Sequence, residues 1–83
     1  MDEVKRNEDG SIVCVEWFFV PGMEDCYREY TFKGDNLAIL QRELKCRYPH
    51  MDIEQALSEM KEADFVAMCK NAKINYLYCE GVY

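Results

Sequence analysis

The residues best equipped for chemistry in this chain are its single histidine and a cysteine close to it. His50 follows Pro49 directly, and Cys46 precedes the histidine by four residues. With Asp52 two residues further on, a thiol, an imidazole and a carboxylate come together, and thiol catalysis requires a base within about 3 Å of the thiol. Pro49 interrupts the helix that would place Cys46 and His50 on one face, because proline disfavours helical geometry in the preceding residue. We therefore predict no catalytic residues, and we expect His50 to lie in an exposed loop.

The other cysteines and the glycines do not form a metal or phosphate site. The five cysteines stand singly along the chain with no CxxC pair, whereas a structural zinc site needs four ligands in paired spacing. Their odd number, together with no secretory signal before them, favours free thiols in a reducing cytoplasm. The four glycines never cluster as a phosphate-binding loop requires. The sequence thus predicts a cytoplasmic protein with no metal, no cofactor and no enzymatic activity.

Charge is the more informative property of the chain. The formal net charge is −6, and acidic and basic segments alternate. Residues 1–35 carry a net charge of −5 and residues 52–64 carry −4, whereas residues 36–51 carry +2 and residues 65–83 carry +1. Such acidic segments either keep a small domain soluble or form a docking surface for a basic partner, because complementary fields speed encounter and fix orientation.

Candidate binding residues come from these acidic segments and from the tyrosines. Within the second predicted helix, three carboxylates fall on or near one face, opposite the apolar residues, and form an acidic ridge. Two more carboxylates occupy the tip of a predicted hairpin, followed by a tyrosine, the residue type that is favoured in interface centres. The predicted binding residues are Asp52, Glu59, Glu62, Glu24, Asp25 and Tyr27.

These residues predict a non-enzymatic acidic module that binds a protein partner with a basic surface. By analogy of size and charge, the module is of the inhibitor or nucleic-acid-mimic type that phages and mobile elements use against host defence. Direct nucleic-acid binding is not expected, because the basic residues are few. Membrane insertion is not expected either, because no stretch of about 18 apolar residues occurs. The alternative is a structural or assembly subunit that self-associates as a homodimer through an apolar strand face containing Ile12, Phe18 and Val20.

The elements that must position these residues belong to one small α+β domain, because 83 residues supply a single core. The strongest local signal is a predicted strand over residues 11–20, SIVCVEWFFV, which ends at Pro21 and Gly22. Residues 26–32 return as a second strand. We expect an antiparallel sheet of three to four strands with two to three helices on one face, in the order ββαα(α)β. Residues 1–8 are either an edge strand, turned back at Asp9-Gly10, or loose.

Alternation along the first long strand predicts which face meets the core. Val13, Val15, Trp17 and Phe19 share one face. We expect the helices to pack on this face, which we call the Trp17 face. The second face is more apolar than a free surface should be, so a helix, a partner or another copy is expected to cover it as well.

Local signals also predict where the helices begin and end. Asp35 or Asn36 is expected to cap the first helix, which ends near Arg47 before the proline. Asp52 is expected to cap the next helix.

The apolar stripe of that next helix loses its phase between Met60 and Phe65. Either two short helices follow one another here, or residues 65–69 form a strand. We favour two helices, because Ala, Met and Lys suit a helix better than a strand. Residues 74–83 alternate in polarity and predict a final strand that pairs with the hairpin.

Overall fold

Four strands and three helices follow one another in the order β1-β2-β3-α1-α2-α3-β4 in the computed structural model, which describes residues 1–83. All neighbouring strands pair antiparallel in the spatial order β1-β2-β3-β4. This arrangement confirms the predicted α+β class, and it adds an N-terminal strand to the predicted order. The elements are β1 (Glu3–Arg6), β2 (Ile12–Phe18), β3 (Cys26–Phe32), α1 (Gly34–Arg47), α2 (Ile53–Glu59), α3 (Glu62–Asn71) and β4 (Leu77–Val82).

The turn at Asp9-Gly10 makes β1 an edge strand rather than a loose segment. Gly10 has a φ of +89°, in the left-handed region that favours glycine. The Asp9 carboxylate accepts hydrogen bonds from the Ser11 hydroxyl at 2.6 Å and the Ser11 backbone N–H at 2.9 Å. These hydrogen bonds lower the pKa of Asp9. The turn therefore directs β1 back along β2.

The helices pack on the opposite face of β2 from the one that we predicted. Ile12 and Cys14 are fully buried and belong to the core cluster. On the other face Val13 and Val15 are also buried, but they lie outside that cluster, and Trp17 is half-buried and Phe19 is 83% exposed. Both faces of β2 are apolar, so alternation alone does not choose between them. The choice depends on β3, because Ile12 pairs with Phe32 and this aromatic side chain packs against α3. The prediction that the helices cover the Trp17 face was wrong.

The chain itself covers part of the strand face that the self-association hypothesis assigned to a second copy. Ile12 is 0% exposed in the core between sheet and helices. The Arg28 guanidinium lies 4.2 Å from the ring centroid of Phe18 and covers that ring. Val20 is half-buried.

The first helix begins before both of the predicted caps, Asp35 and Asn36. α1 starts at Gly34, and Lys33 occupies the N-cap position with no side-chain hydrogen bond to the helix. Asn36 instead accepts the backbone N–H of Asn75 at 3.0 Å through Oδ1, so the predicted capping residue serves a long-range contact. The predicted end at Arg47 is confirmed. Asp52 is confirmed at the N-cap position of α2, although it forms no side-chain cap hydrogen bond.

The predicted break between Met60 and Phe65 is confirmed. Met60 and Lys61 both adopt extended backbone angles, which separate α2 from α3. Phe65 then points into the core, where its ring centroid lies 5.2 Å from that of Tyr30 and 5.6 Å from that of Phe32. Residues 65–69 are therefore helical, and the first turn of α3 sits directly above β3.

Candidate functional site

The face of the sheet without helices carries three aromatic rings at one end. Trp17 on β2 and Tyr27 on β3 are cross-strand partners, and their ring centroids are 5.8 Å apart at an angle of 61°. Tyr83 follows β4, and its ring centroid also lies 5.8 Å from that of Trp17, at 82°. Edge-to-face pairs of this kind stabilise one another beyond simple burial. The three rings form one aromatic cluster on the face of the sheet that carries no helix.

The aromatic cluster lines a groove of about 920 Å³ that is open to solvent. Its walls come from one end of the sheet, where all four strands contribute, and from the loop between β2 and β3. Four carboxylates and one ammonium group line it, which gives a net charge of −3, half of the formal charge of the chain. We call this site the aromatic–acidic groove; its aromatic and charged members are Trp17, Phe18, Phe19, Tyr27, Tyr83, Glu3, Glu24, Asp25, Glu29 and Lys5.

Hydrogen bonds that Trp17 donates to β1 and to the residue before that strand hold the tryptophan in place. The indole Nε1–H of Trp17 donates to the Glu3 carboxylate at 2.8 Å, and its backbone N–H donates to the Asp2 carboxylate at 2.7 Å. Both donors are therefore satisfied within the chain. A ligand in the groove meets the indole ring as a π surface rather than as a hydrogen-bond donor.

The position of Tyr27 depends on a glycine in the neighbouring strand. Gly81 is the cross-strand partner of Tyr27, and a Cβ at Gly81 would lie 2.9 Å from the Tyr27 Oη and 3.0 Å from Cζ. The phenol ring thus lies across the bare glycine backbone, a close approach that no larger residue permits. The nearby Cys79 thiol and partial desolvation raise the pKa of the Tyr27 phenol, so the phenol is neutral at physiological pH.

The chemistry that this groove supports is recognition of a cation. Aromatic faces attract ammonium and guanidinium groups through the ring quadrupole. Carboxylates add charge-assisted hydrogen bonds, which are strongest with the planar fork of arginine. Trp17 and Tyr27 supply the first contribution, and Asp25 and Glu29 supply the second, within one surface.

Three of the predicted binding residues meet in this groove, and three do not. Glu24, Asp25 and Tyr27 all line it. Asp52 and Glu59 are exposed in the helical layer. The predicted acidic ridge does not lie on a single helix, because α2 ends at Glu59 and the third residue of the ridge opens α3.

That third residue, Glu62, faces the sheet instead of solvent. Its carboxylate accepts hydrogen bonds from the Tyr30 hydroxyl at 2.8 Å and from Arg28 Nη1 at 3.1 Å. Burial is the main cause that raises the pKa of Tyr30 far above its usual value, and the hydrogen bond to Glu62 is the second. Arg28 also approaches Glu80 at 3.5 Å. Glu62 therefore joins α3 to the sheet, and a partner would have to break these bonds to reach it.

The thiols and the histidine are distributed as isolated groups. Cys46 and His50 are both exposed, one in the last turn of α1 and the other in the following loop. Burial raises the pKa of Cys14 to about 12 and that of Cys69 to about 11. Both thiols stay protonated at neutral pH, and the thiolate is the nucleophilic form.

Sequence reasoning missed several members of the groove because it assigned Trp17 to the core. The signal that could have found them lies on β3, where Tyr27, Glu29 and Thr31 make one polar face. Residues directly opposite in an antiparallel pair share a face. The register pairs Tyr27 with Trp17 and Glu29 with Val15, so the polar face of β3 indicates that the Trp17 face is the uncovered one.

No group of three or more His, Cys, Asp or Glu side chains is arranged to hold a metal ion. None of the helices combines the length and the apolar character needed to cross a membrane. Comparison of the chain with models of protein families, with curated proteins and with solved structures gives no match.

Proposed function

We propose that this protein is a non-enzymatic binding module that receives cationic side chains of a basic partner protein in the aromatic–acidic groove. One observation carries this proposal. The rings of Trp17, Tyr27 and Tyr83 cluster beside four carboxylates on the face of the sheet that no helix covers.

The energetic terms favour arginine or lysine as the group that enters the groove. A cation over an aromatic face contributes about 0.5–1 kcal/mol at an exposed site and about 2 kcal/mol when it is desolvated. The carboxylates of Glu24, Asp25 and Glu29 add longer-range attraction, which raises the association rate with a basic surface. Exposed Phe19 and Met23 border the groove and supply apolar contact area around the cation.

The partner that fits this chemistry is a protein whose basic surface also binds another acidic ligand. Basic stripes of this kind are typical of nucleic-acid-binding proteins. We therefore extend the proposal to an inhibitor that acts as a nucleic-acid mimic, as anti-defence proteins of viruses and mobile elements do. In that role the module and a DNA duplex compete for one basic surface, and simultaneous binding of both would contradict the mimic role.

The single tryptophan of the chain makes the groove directly observable. We expect a hexa-arginine peptide to change the Trp17 fluorescence saturably, with weaker binding as salt rises, because screening shortens the range of exposed charges. A hexa-glutamate peptide serves as the ligand control. Fluorescence that responds equally to both peptides would contradict the proposal.

A matched pair of double variants tests the position of the binding site. Asp25→Asn with Glu29→Gln removes two charges from the groove, and Asp52→Asn with Glu59→Gln removes two charges from the helical layer. Two exposed ion pairs contribute about 1 kcal/mol together, so the groove variant should bind hexa-arginine about fivefold more weakly. The helical-layer variant should bind within about twofold of the natural chain. Equal losses of hexa-arginine affinity in the two variants would show that binding depends on the overall charge and not on the groove.

A further inference from the structure

The two edges of the sheet differ in how they are protected. β1 reads EVKR, and its Arg6 is held in an ion pair with Glu54 of α2. Charged side chains and a covering helix are common protections of edge strands. β4 reads LYCEGV, contains neither proline nor lysine, and forms the other edge of the sheet. Its only charged residue, Glu80, is paired with Arg28, so β4 is the less protected edge and a template for pairing with another strand.

The register shows which backbone groups of β4 point outward. The backbone N–H of Tyr83 donates to the carbonyl of Asp25 at 2.7 Å, so this pair is hydrogen-bonded. Hydrogen-bonded and non-hydrogen-bonded pairs alternate along an antiparallel ladder. Cys79 therefore bonds with β3, whereas Tyr78 and Glu80 direct their N–H and C=O groups away from the sheet.

Apolar side chains accompany these outward backbone groups. Leu77 is 57% exposed, Tyr78 is 51% exposed and Val82 is 49% exposed. Three large apolar residues within six positions give the edge an apolar surface on both of its faces. Such a strand gains both hydrogen bonds and apolar contact when another strand joins it.

From these observations we infer that β4 pairs antiparallel with β4 of a second copy and forms a continuous eight-stranded sheet with two-fold symmetry. The symmetry axis is perpendicular to the sheet, so residues that face each other must lie on the same face. Two registers then pair five residues of the strand. One is centred on Cys79 and the other on Glu80.

Charge selects between the two registers. The register centred on Glu80 places two carboxylates directly opposite each other, which is destabilising. The register centred on Cys79 places Tyr78 opposite Glu80 of the second copy, on the face where the Tyr78 hydroxyl already donates to Glu80 within one chain. Two such pairs supply four backbone hydrogen bonds, and Leu77 lies opposite Gly81. The self-complementary sequence of β4 is what favours a second copy over a foreign strand.

This pairing leaves the aromatic–acidic groove available. The paired residues end at Gly81, and Tyr83 extends beyond them. The dimer and the proposed cation binding respond to salt in opposite directions. Salt weakens binding of a basic ligand, whereas it strengthens association of two copies that each carry a formal charge of −6. Failure of one proposal is therefore distinguishable from failure of the other.

Sedimentation velocity over a wide concentration range tests the dimer with a matched pair of variants. The natural chain should move from a mass of 9.8 kDa towards twice that value as concentration rises. Glu80→Pro removes an outward N–H and no bond to β3, so two intermolecular hydrogen bonds are lost per dimer. The dissociation constant should rise about thirtyfold. Glu80→Gln keeps the N–H and should raise it by less than about threefold.

Oxidation provides a second measurement that does not depend on folding of a variant. Directly opposite residues in a non-hydrogen-bonded pair have Cα atoms about 4.5 Å apart, within the range of a disulfide. Diamide should therefore join two Cys79 thiols into one disulfide and take up their two hydrogen atoms. Cys46→Ser should keep the linked dimer, and Cys79→Ser should abolish it. A chain that stays at the monomer mass, equal effects of the two Glu80 variants, or a linked dimer that requires Cys46 overturns the pairing.

Discussion

Removal of the Glu62 carboxylate should lower the free energy of unfolding more than removal of any exposed carboxylate. Glu62 accepts the Tyr30 hydroxyl at 2.8 Å and Arg28 Nη1 at 3.1 Å. The side chains of Arg28 and Glu62 are 32% and 27% exposed, so water screens the ion pair only in part. Hydrogen bonds to charged groups contribute about 1.5–3 kcal/mol each when they are shielded. After discounting for this exposure, we expect Glu62→Ala to cost about 2 kcal/mol.

The matched control is Glu59→Ala, an exposed carboxylate at the end of α2. Its expected cost is within about 0.5 kcal/mol. Urea unfolding followed by far-ultraviolet circular dichroism measures both variants. For a domain of this size, a loss of about 2 kcal/mol lowers the melting temperature by about 8–16 °C, so the difference is well above experimental error.

A double-mutant cycle isolates the hydrogen bond between the two residues. Tyr30→Phe removes the hydroxyl and keeps the ring that packs against Phe65. Combined with Glu62→Ala, it should give a coupling energy of about 1 kcal/mol. A coupling energy below about 0.3 kcal/mol, the range of independent sites, would refute the structural role. So would a Glu62→Ala variant that unfolds like Glu59→Ala.

Three further predictions follow from burial and close packing. In the native protein, iodoacetamide should modify the two exposed cysteines well before the three buried ones, as counted by intact mass spectrometry; five equal rates would contradict the fold. Burial raises the pKa of Cys14 from 9.0 to about 12, so its contribution to stability is complete below pH 9 and is lost as pH rises towards 12, by up to about 1.4 kcal/mol per pH unit. The free energy of unfolding of Cys14→Ala, measured in urea, should therefore fall less steeply above pH 9 than that of the natural chain. Equal slopes for the two proteins would contradict the assignment. Gly81→Ala should displace the Tyr27 ring, shift the Trp17 emission and weaken hexa-arginine binding at least about fivefold; an unchanged spectrum would show that the ring does not depend on the glycine.

Turn and break residues made the order of elements predictable. The Asp9-Gly10 turn, the Pro21-Gly22 turn and the stop before Pro49 act through the backbone angles of one or two residues. Such effects need no tertiary contact, and β3 was predicted at its observed bounds. The break between α2 and α3 was predictable for a related reason, since a loss of helical phase is a property of consecutive residues.

Only some of the predicted binding residues lie together, because those that do are close neighbours along the chain and the others are not. Glu24, Asp25 and Tyr27 belong to one hairpin, and they lie together in the groove. Tyr83 reaches the same groove through the pairing of β4 with β3. The alternation of residues 74–83 predicted a final strand on the hairpin, but the register that brings Tyr83 beside Trp17 depends on contacts between distant segments.

The sequence by itself determined the α+β class, the turns and the uneven charge, because each depends on residue type or on neighbours within a few positions. The tertiary structure decided which face of β2 is covered, where Glu62 points and which aromatic residues meet. Both faces of β2 are apolar, so their burial depends on the partners that distant segments bring to them. Phe32 and Phe65 belong to the core that covers one face of the sheet. Trp17 is therefore left on the other face, beside the carboxylates.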